Sequence, residues 1–188
     1  GVLANIEKLI IKDDYLKNIQ NPFPDKWTIN KITNVSETKL EVMNLKDEHK
    51  IIDLSIFSQN FFGESYIKDK KLFSNHYRIH INTICDILKN VGVNINTVPV
   101  LDVRRKKSHN IIRSRSFSEK STIVSNLGKL CIDFYEKNKI GTVMKHIPGL
   151  GLSKCDSHYK TPIINANKEE LFKKDFKPFK VSKSLFAM

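Results

Sequence analysis

The chain has 188 residues, of which 40% are hydrophobic and 28% are charged, and these proportions exclude an intrinsically disordered polypeptide. The formal net charge of +12 fits a nucleic-acid binder, but the lysines that produce it are scattered along the chain, so a nucleic-acid partner is the less favoured interpretation. No stretch approaches the roughly 20 apolar residues of a membrane span and no apolar leader opens the chain, so we expect a cytoplasmic domain without a membrane partner.

Cysteine usage points away from disulfides and zinc. The three cysteines, Cys85, Cys131 and Cys155, are widely spaced and contain no CxxC pair. Such spacing is typical of neither a secreted disulfide scaffold nor a zinc site. We therefore expect a reducing compartment, no metal and no cofactor.

The predicted elements become clear only after about residue 70. The first 50 residues have a weak pattern, with short alternations such as Thr38–Met43, and no chemistry can be assigned there. An amphipathic helix is then predicted from Leu72 to near Gly92. Its apolar residues recur at three- and four-residue spacing: Tyr77, Ile81, Ile84, Cys85 and Leu88.

Parallel βα units are predicted next. Residues 93–102 are rich in apolar and β-branched residues and predict a strand, and residues 140–144 predict a second, buried one. A helix is predicted between them, from about 119 to 139. A Gly/Pro loop, a charged helix at 168–173 and a final strand opening at 184–188 follow. This order is typical of an α/β fold with a parallel sheet.

The loop of residues 145–162 holds the densest group of reactive side chains. Lys145 and His146 are adjacent at the predicted strand end, where α/β barrel enzymes place their active sites. Further on, Asp156 and His158 are two residues apart, a spacing that lets a carboxylate orient an imidazole for proton transfer. Such tripeptides are common, so an alternative remains that Asp156 caps a turn and His158 is an exposed loop residue.

A second group joins the other predicted strand end to an arginine. Asp102 ends the strand 93–102, and Arg115 closes the following basic loop. The planar guanidinium of Arg115 could bind a sugar hydroxyl or an acyl group. A salt bridge between Asp102 and a loop arginine is the alternative. The dense basic cluster that starts at Arg104 could contact phosphates, but we expect it to be a solvated loop.

Four segments together resemble a known family. In order and with similar spacing, NVGVNINTVPVLDV, RSFS, GTVMKHIPGLG and DSHYKTPII are similar to the bacterial β-N-acetylhexosaminidases of glycoside hydrolase family 3, over about residues 72–188. The resemblance implies a (β/α)8 TIM-type barrel that releases terminal N-acetylglucosamine from muropeptides in the cytoplasm. It also implies that His158 is the acid/base, that Asp156 orients it, and that Arg115, Lys145 and His146 bind the sugar.

The resemblance also has gaps. The family's nucleophilic aspartate belongs to a later strand, and nothing in residues 1–61 reads as the family's DQEGGRV turn. Leu150 stands where many members have histidine, and Arg113 stands where a glycine often precedes RSF. We therefore expect a partial barrel, incomplete at both ends, with residues 1–60 as a poorly matched N-terminal segment and residues 61–188 as the barrel part.

Three functional classes remain open at this point. The first is a retaining β-N-acetylhexosaminidase acting on peptidoglycan fragments, whose activity is in doubt because the nucleophile segment is missing. The second is a non-catalytic remnant of such an enzyme. The third is a basic nucleic-acid-binding module, which the net charge alone would favour.

Overall fold

The computed structural model describes residues 57–188 apart from positions 91, 107–108, 111 and 158, together with three short strands earlier in the chain. The strands are β1 (Ile32–Thr33), β2 (Leu40–Met43), β3 (His49–Ile52), β4 (Ile95–Asn96), β5 (Gly141–Met144) and β6 (Phe186–Ala187). The helices are α1 (Gln59–Lys68), α2 (Lys70–Asn90), α3 (Ser121–Lys137), α4 (Lys168–Lys173) and α5 (Lys177–Val181).

Four of the strands form one parallel sheet in the order β1-β4-β5-β6. The central pair is in register with Ile95 opposite Gly141 and Asn96 opposite Thr142. Strands β2 and β3 form a separate antiparallel pair. Because α2 leads into β4 and α3 leads into β5, the predicted parallel βα units and α/β class are confirmed.

Helix α2 follows its apolar periodicity closely. Asp69 caps it, accepting hydrogen bonds from the backbone N–H groups of Lys71 and Leu72 at 2.9 and 3.0 Å. The helix ends at Asn90, and Gly92 then takes a positive φ of 76°, which suits glycine. Its buried residues are Phe73, Tyr77, Ile81, Ile84, Cys85 and Leu88. The predicted helix from Leu72 is thus confirmed, with a start two residues earlier.

Helix α1 was not predicted from the sequence. Ser58 caps it by accepting a hydrogen bond from Phe61 N–H. Its buried face contains Gln59, Phe62 and Gly63, so only one of the three is a large apolar residue. The Phe62 ring contacts the Tyr77 ring of α2 at a centroid distance of 4.7 Å. A face with so few apolar residues has almost no amphipathic signal.

The core lies between the sheet and helices α2 and α3. Helix α3 buries Leu127, Cys131 and Phe134 in this core and packs Ile123 and Leu130 against it. The thiols of Cys85 and Cys131 lie within the core. Burial raises the pKa of both thiols to about 12, so they behave as small apolar side chains. No helix in the described part of the chain is long and apolar enough to cross a membrane.

Candidate active site

The candidate site is built where β4 and β5 end. Pairing between the two strands continues past their regular segments, because Val98 O accepts from Val143 N–H at 3.0 Å and Pro99 O accepts from Lys145 N–H at 3.1 Å. Leu101 N–H in turn donates to Lys145 O at 2.7 Å. This register places the next residue, Asp102, beside His146 on the neighbouring strand end. The carboxyl ends of parallel strands are where α/β folds place their sites.

Asp102 and His146 form a buried pair. The Asp102 side chain is 0% exposed, and its Oδ2 lies 2.6 Å from Nδ1 of His146. Its Oδ1 accepts from the backbone N–H of Leu150 at 2.7 Å and from that of His146 at 3.4 Å. The alternative of a salt bridge between Asp102 and a loop arginine is therefore wrong. The carboxylate instead holds the start of the loop that follows β5.

Lys145 is buried one residue earlier. It is 3% exposed, and its Nζ donates to Thr97 Oγ1 at 3.3 Å. Buried ammonium groups are costly unless hydrogen-bond acceptors surround them. The Lys145 side chain therefore points into the polar interior at the strand ends and not into solvent.

Arg115 comes from the loop that follows β4. Ser116 anchors that loop, donating from its hydroxyl to Asp102 O at 2.6 Å and accepting from Arg104 N–H at 3.2 Å. From the other side, Asn60 N–H of α1 donates to Ser114 O at 3.0 Å. Arg115 is thus held between two backbone anchors.

Arg115 and His146 line one small cleft. Its lining residues are Ile112, Arg115, His146, Leu150, Ser153, Cys155 and Ser157. Ile112 and Arg115 come from the loop after β4, and the other lining residues come from the loop after β5. Ser157 brings the Asp156 segment to the rim. The structure therefore brings two of the predicted sugar-binding residues together.

The predicted acid/base pair is only partly placed. Asp156 is half-buried, and its backbone carbonyl accepts from the N–H groups of Tyr159 and Lys160 at 3.2 and 3.1 Å, closing a turn. His158 lies outside the described residues. The assignment of His158 as acid/base and Asp156 as its partner thus stays a prediction.

Comparison with known sequences identifies the family. The family model described as "Glycosyl hydrolase family 3 N terminal domain" matches residues 81–182, more than half of the chain. The chain belongs to glycoside hydrolase family 3. The matched stretch includes Arg115, Lys145, His146 and Asp156, so the whole cleft lies within the family 3 domain.

The family 3 relatives are β-hexosaminidases. The chain is 33% identical over 92 residues to "Beta-hexosaminidase A" of Pseudoalteromonas piscicida and 32% identical over 93 residues to "Beta-hexosaminidase" of Nitrosomonas eutropha. These alignments cover 49% and 50% of this chain but 15% and 26% of the relatives, so the chain spans a minor part of their length.

A solved structure supports the barrel prediction. Native NagZ from Neisseria gonorrhoeae matches with a TM-score of 0.61 and 25% identity, over 66% of this chain and 36% of NagZ. The same enzyme has been crystallised with N-trifluoroacetyl-D-glucosamine. The family 3 N-terminal domain of such neighbours is a TIM barrel, so the prediction of a partial TIM-type barrel is confirmed.

The basic loop of this family 3 domain differs from its prediction. Arg105 was expected in a solvated loop, but it is 14% exposed and its Nη2 lies 2.5 Å from Oδ2 of Asp175. Burial raises the pKa of Asp175, and the hydrogen bond and charge of Arg105 oppose that rise. Arg104 Nε also lies 3.7 Å from Glu119 Oε1. The two arginines therefore have acidic partners inside the domain, which weakens the phosphate-binding alternative.

Two polar pairings near the site escaped detection in the sequence. Gln59 of α1 pairs with Val100 in both directions: its Nε2 donates to Val100 O, and its Oε1 accepts from Val100 N–H, each at 2.9 Å. Asp102 was noticed at the strand end, but its partner was not. No local signal reveals either pairing, since the partners lie 41 and 44 positions away. Among the described residues, no cluster of three His, Cys, Asp or Glu side chains could hold a metal.

Proposed function

We propose that this chain forms the sugar-binding and acid/base part of a β-N-acetylhexosaminidase that releases terminal N-acetylglucosamine from peptidoglycan fragments in the cytoplasm. The observation that carries the proposal is the cleft, because Arg115 and His146 reach it from two different βα loops. The barrel part corresponds to residues 61–188 in this proposal, and residues 1–60 are the N-terminal segment, which supplies β1 to the edge of the sheet and the first two residues of α1.

The side chains suit a neutral amino sugar. A guanidinium offers planar N–H donors to hydroxyl or acetamido oxygens, while an imidazole can accept or donate one hydrogen bond. The cleft brings Arg115 and His146 together where both can contact one sugar, and Lys145 is buried next to His146 at the strand end. These features support recognition of the non-reducing sugar.

Proton transfer is assigned to the loop at the rim. In the proposal His158 protonates the leaving oxygen and Asp156 orients its ring, in place of one of the two carboxyls that retaining glycosidases use. Support comes from the motif match and from Ser157, which stands between these two residues in the sequence and lines the cleft.

Catalysis is tested with a chromogenic N-acetyl-β-glucosaminide and the purified chain. In any active form that includes a nucleophile, we expect His158→Ala to lower turnover by about 10²–10⁴, the usual contribution of a general acid/base. The matched control is His76→Ala, since His76 is exposed on α2 far along the chain from the cleft loops. Equal turnover in the His158 variant and the wild type would remove His158 from the mechanism.

Sugar binding is tested separately by calorimetry with N-acetylglucosamine. Arg115→Ala should weaken binding by about tenfold or more through the loss of a charged hydrogen bond, whereas Arg78→Ala, at an exposed position of α2, should not. A chain that is folded by circular dichroism but neither binds nor hydrolyses the sugar would contradict the proposed function.

A further inference from the structure

Asp102 is surrounded by donors and is withdrawn from the cleft. It is 0% exposed and does not line the cleft, whereas its partner His146 is 22% exposed and does. Three nitrogen atoms face its two oxygens: Nδ1 of the His146 ring, the backbone N–H of His146 and the backbone N–H of Leu150. A carboxylate is the group that can accept from all three.

We propose that Asp102 is a positioning residue that fixes the His146 ring with its proton on Nδ1, so that Nε2 serves as a hydrogen-bond acceptor for a sugar hydroxyl. The sugar part of this statement rests on the proposed function; the tautomer part does not. Asp102 itself touches no substrate. It acts through His146 and through the turn that begins there.

The proton assignment follows from hydrogen-bond accounting. If Nδ1 carried no proton, its lone pair would face an Asp102 oxygen at 2.6 Å, and two acceptors at that distance repel each other. With the proton on Nδ1, every contact of the carboxylate joins a donor to an acceptor. A neutral ring then has its remaining lone pair on Nε2, at the opposite edge of the imidazole.

The same carboxylate also holds the cleft floor. Its bond from Leu150 N–H, at 2.7 Å, ties down the turn after β5, and Leu150 is itself a lining residue. Ring orientation, ring tautomer and turn position therefore depend on one buried side chain. Groups that orient a functional histidine in this way commonly matter almost as much as the histidine.

Asp102→Asn separates these roles. An asparagine keeps the volume and can still accept from Leu150 N–H through Oδ1. Its Nδ2, however, donates, so it pairs with an unprotonated Nδ1 and moves the ring proton to Nε2. The group offered to the cleft changes from an acceptor to a donor while the turn is retained.

The first measurement is the ring tautomer, read from long-range ¹H–¹⁵N correlations of the ¹⁵N-labelled chain near pH 8, where free imidazoles are neutral. His146→Gln assigns the signals among the six histidines. We expect Nδ1–H in the wild type and Nε2–H in Asp102→Asn. A wild-type ring with its proton on Nε2, or an unchanged tautomer in the variant, would overturn the proposal. If the variant does not fold, the wild-type spectrum still decides.

The second measurement is a double-mutant cycle on N-acetylglucosamine binding. Asp102→Asn should weaken binding by about tenfold, and it should add nothing once His146→Ala is present. A further loss in the double variant would mean that Asp102 acts as general support for the fold, which would overturn the positioning role. If the wild type does not bind the sugar, the proposed function fails, and the tautomer result alone decides the role of Asp102.

Discussion

Gly63→Ala tests whether α1 supports the loop that carries Arg115. Gly63 lies in α1 directly against the backbone of that loop, so a Cβ atom added there would lie 1.7 Å from the carbonyl oxygen of Phe117 and 2.7 Å from its carbonyl carbon. A backbone carbonyl cannot rotate away as a side chain can. The helix and the loop must therefore move apart.

The size of the effect follows from what that movement breaks. To restore contact at 3.4 Å, where ordinary van der Waals contact begins, α1 must retreat by about 1.7 Å. The same helix turn carries the two Gln59 bonds to Val100 and the Asn60 bond to Ser114, each worth about 0.5–1.5 kcal/mol. Alanine gains about 1 kcal/mol over glycine in a helix. We expect a net loss of about 2 kcal/mol.

Thermal unfolding followed by circular dichroism measures this loss. For a chain of this size, about 2 kcal/mol lowers Tm by roughly 4–8 °C. Gly92→Ala is the matched control: its Cβ meets nothing within 4 Å, so only its positive φ of 76° is strained, at about 1 kcal/mol. A Gly63→Ala protein as stable as the wild type, or less perturbed than the control, would refute the close helix–loop packing.

Three further predictions test the packing, the pH response and the cleft. Burial lowers the pKa of His80 from 6.5 to about 4, so between these two pH values the unfolded chain binds a proton that the folded chain does not. The free energy of unfolding should therefore fall by about 1–3 kcal/mol as the pH is lowered from 6.5 to 4. In urea titrations, His80→Phe should make the free energy of unfolding less dependent on pH over this range. Gln59→Ala should cost about 2–4 kcal/mol in the same assay because both backbone groups of Val100 lose their partner. Gln59→Glu keeps the acceptor for Val100 N–H but buries a carboxylate oxygen against Val100 O, so it should cost at least as much; a Gln59→Glu protein as stable as the wild type would contradict the two-way pairing. Cys155 is half-buried at the cleft, while the thiols of Cys85 and Cys131 are buried in the core. Iodoacetamide near pH 8 should therefore add one adduct, detected by mass spectrometry, and should add it more slowly when N-acetylglucosamine is present. Three adducts formed at equal rates would contradict the burial of the other two thiols.

Two residues that meet in one cleft could be singled out from the sequence, but their hydrogen-bond partners could not. Arg115, Lys145 and His146 were assigned from motifs, and the cleft includes Arg115 and His146. The partner of His146 was missed because the bond to Asp102 depends on the register of two strands. The exposure of Arg105 was predicted wrongly for a similar reason, since its partner Asp175 lies 70 positions further along the chain.

The sequence by itself determined the elements whose signal is local. The three- and four-residue spacing of apolar side chains predicted α2 and α3, and β-branched runs predicted β4 and β5, because each pattern is complete within one segment. Helix α1 had no such pattern, because two of its buried residues, Gln59 and Gly63, are not large apolar side chains. They are buried there because they contact Val100 and the loop that carries Arg115. Only the tertiary structure could decide these contacts and the Asp102 pair, because they exist once strands and loops far apart in the chain are brought together by packing.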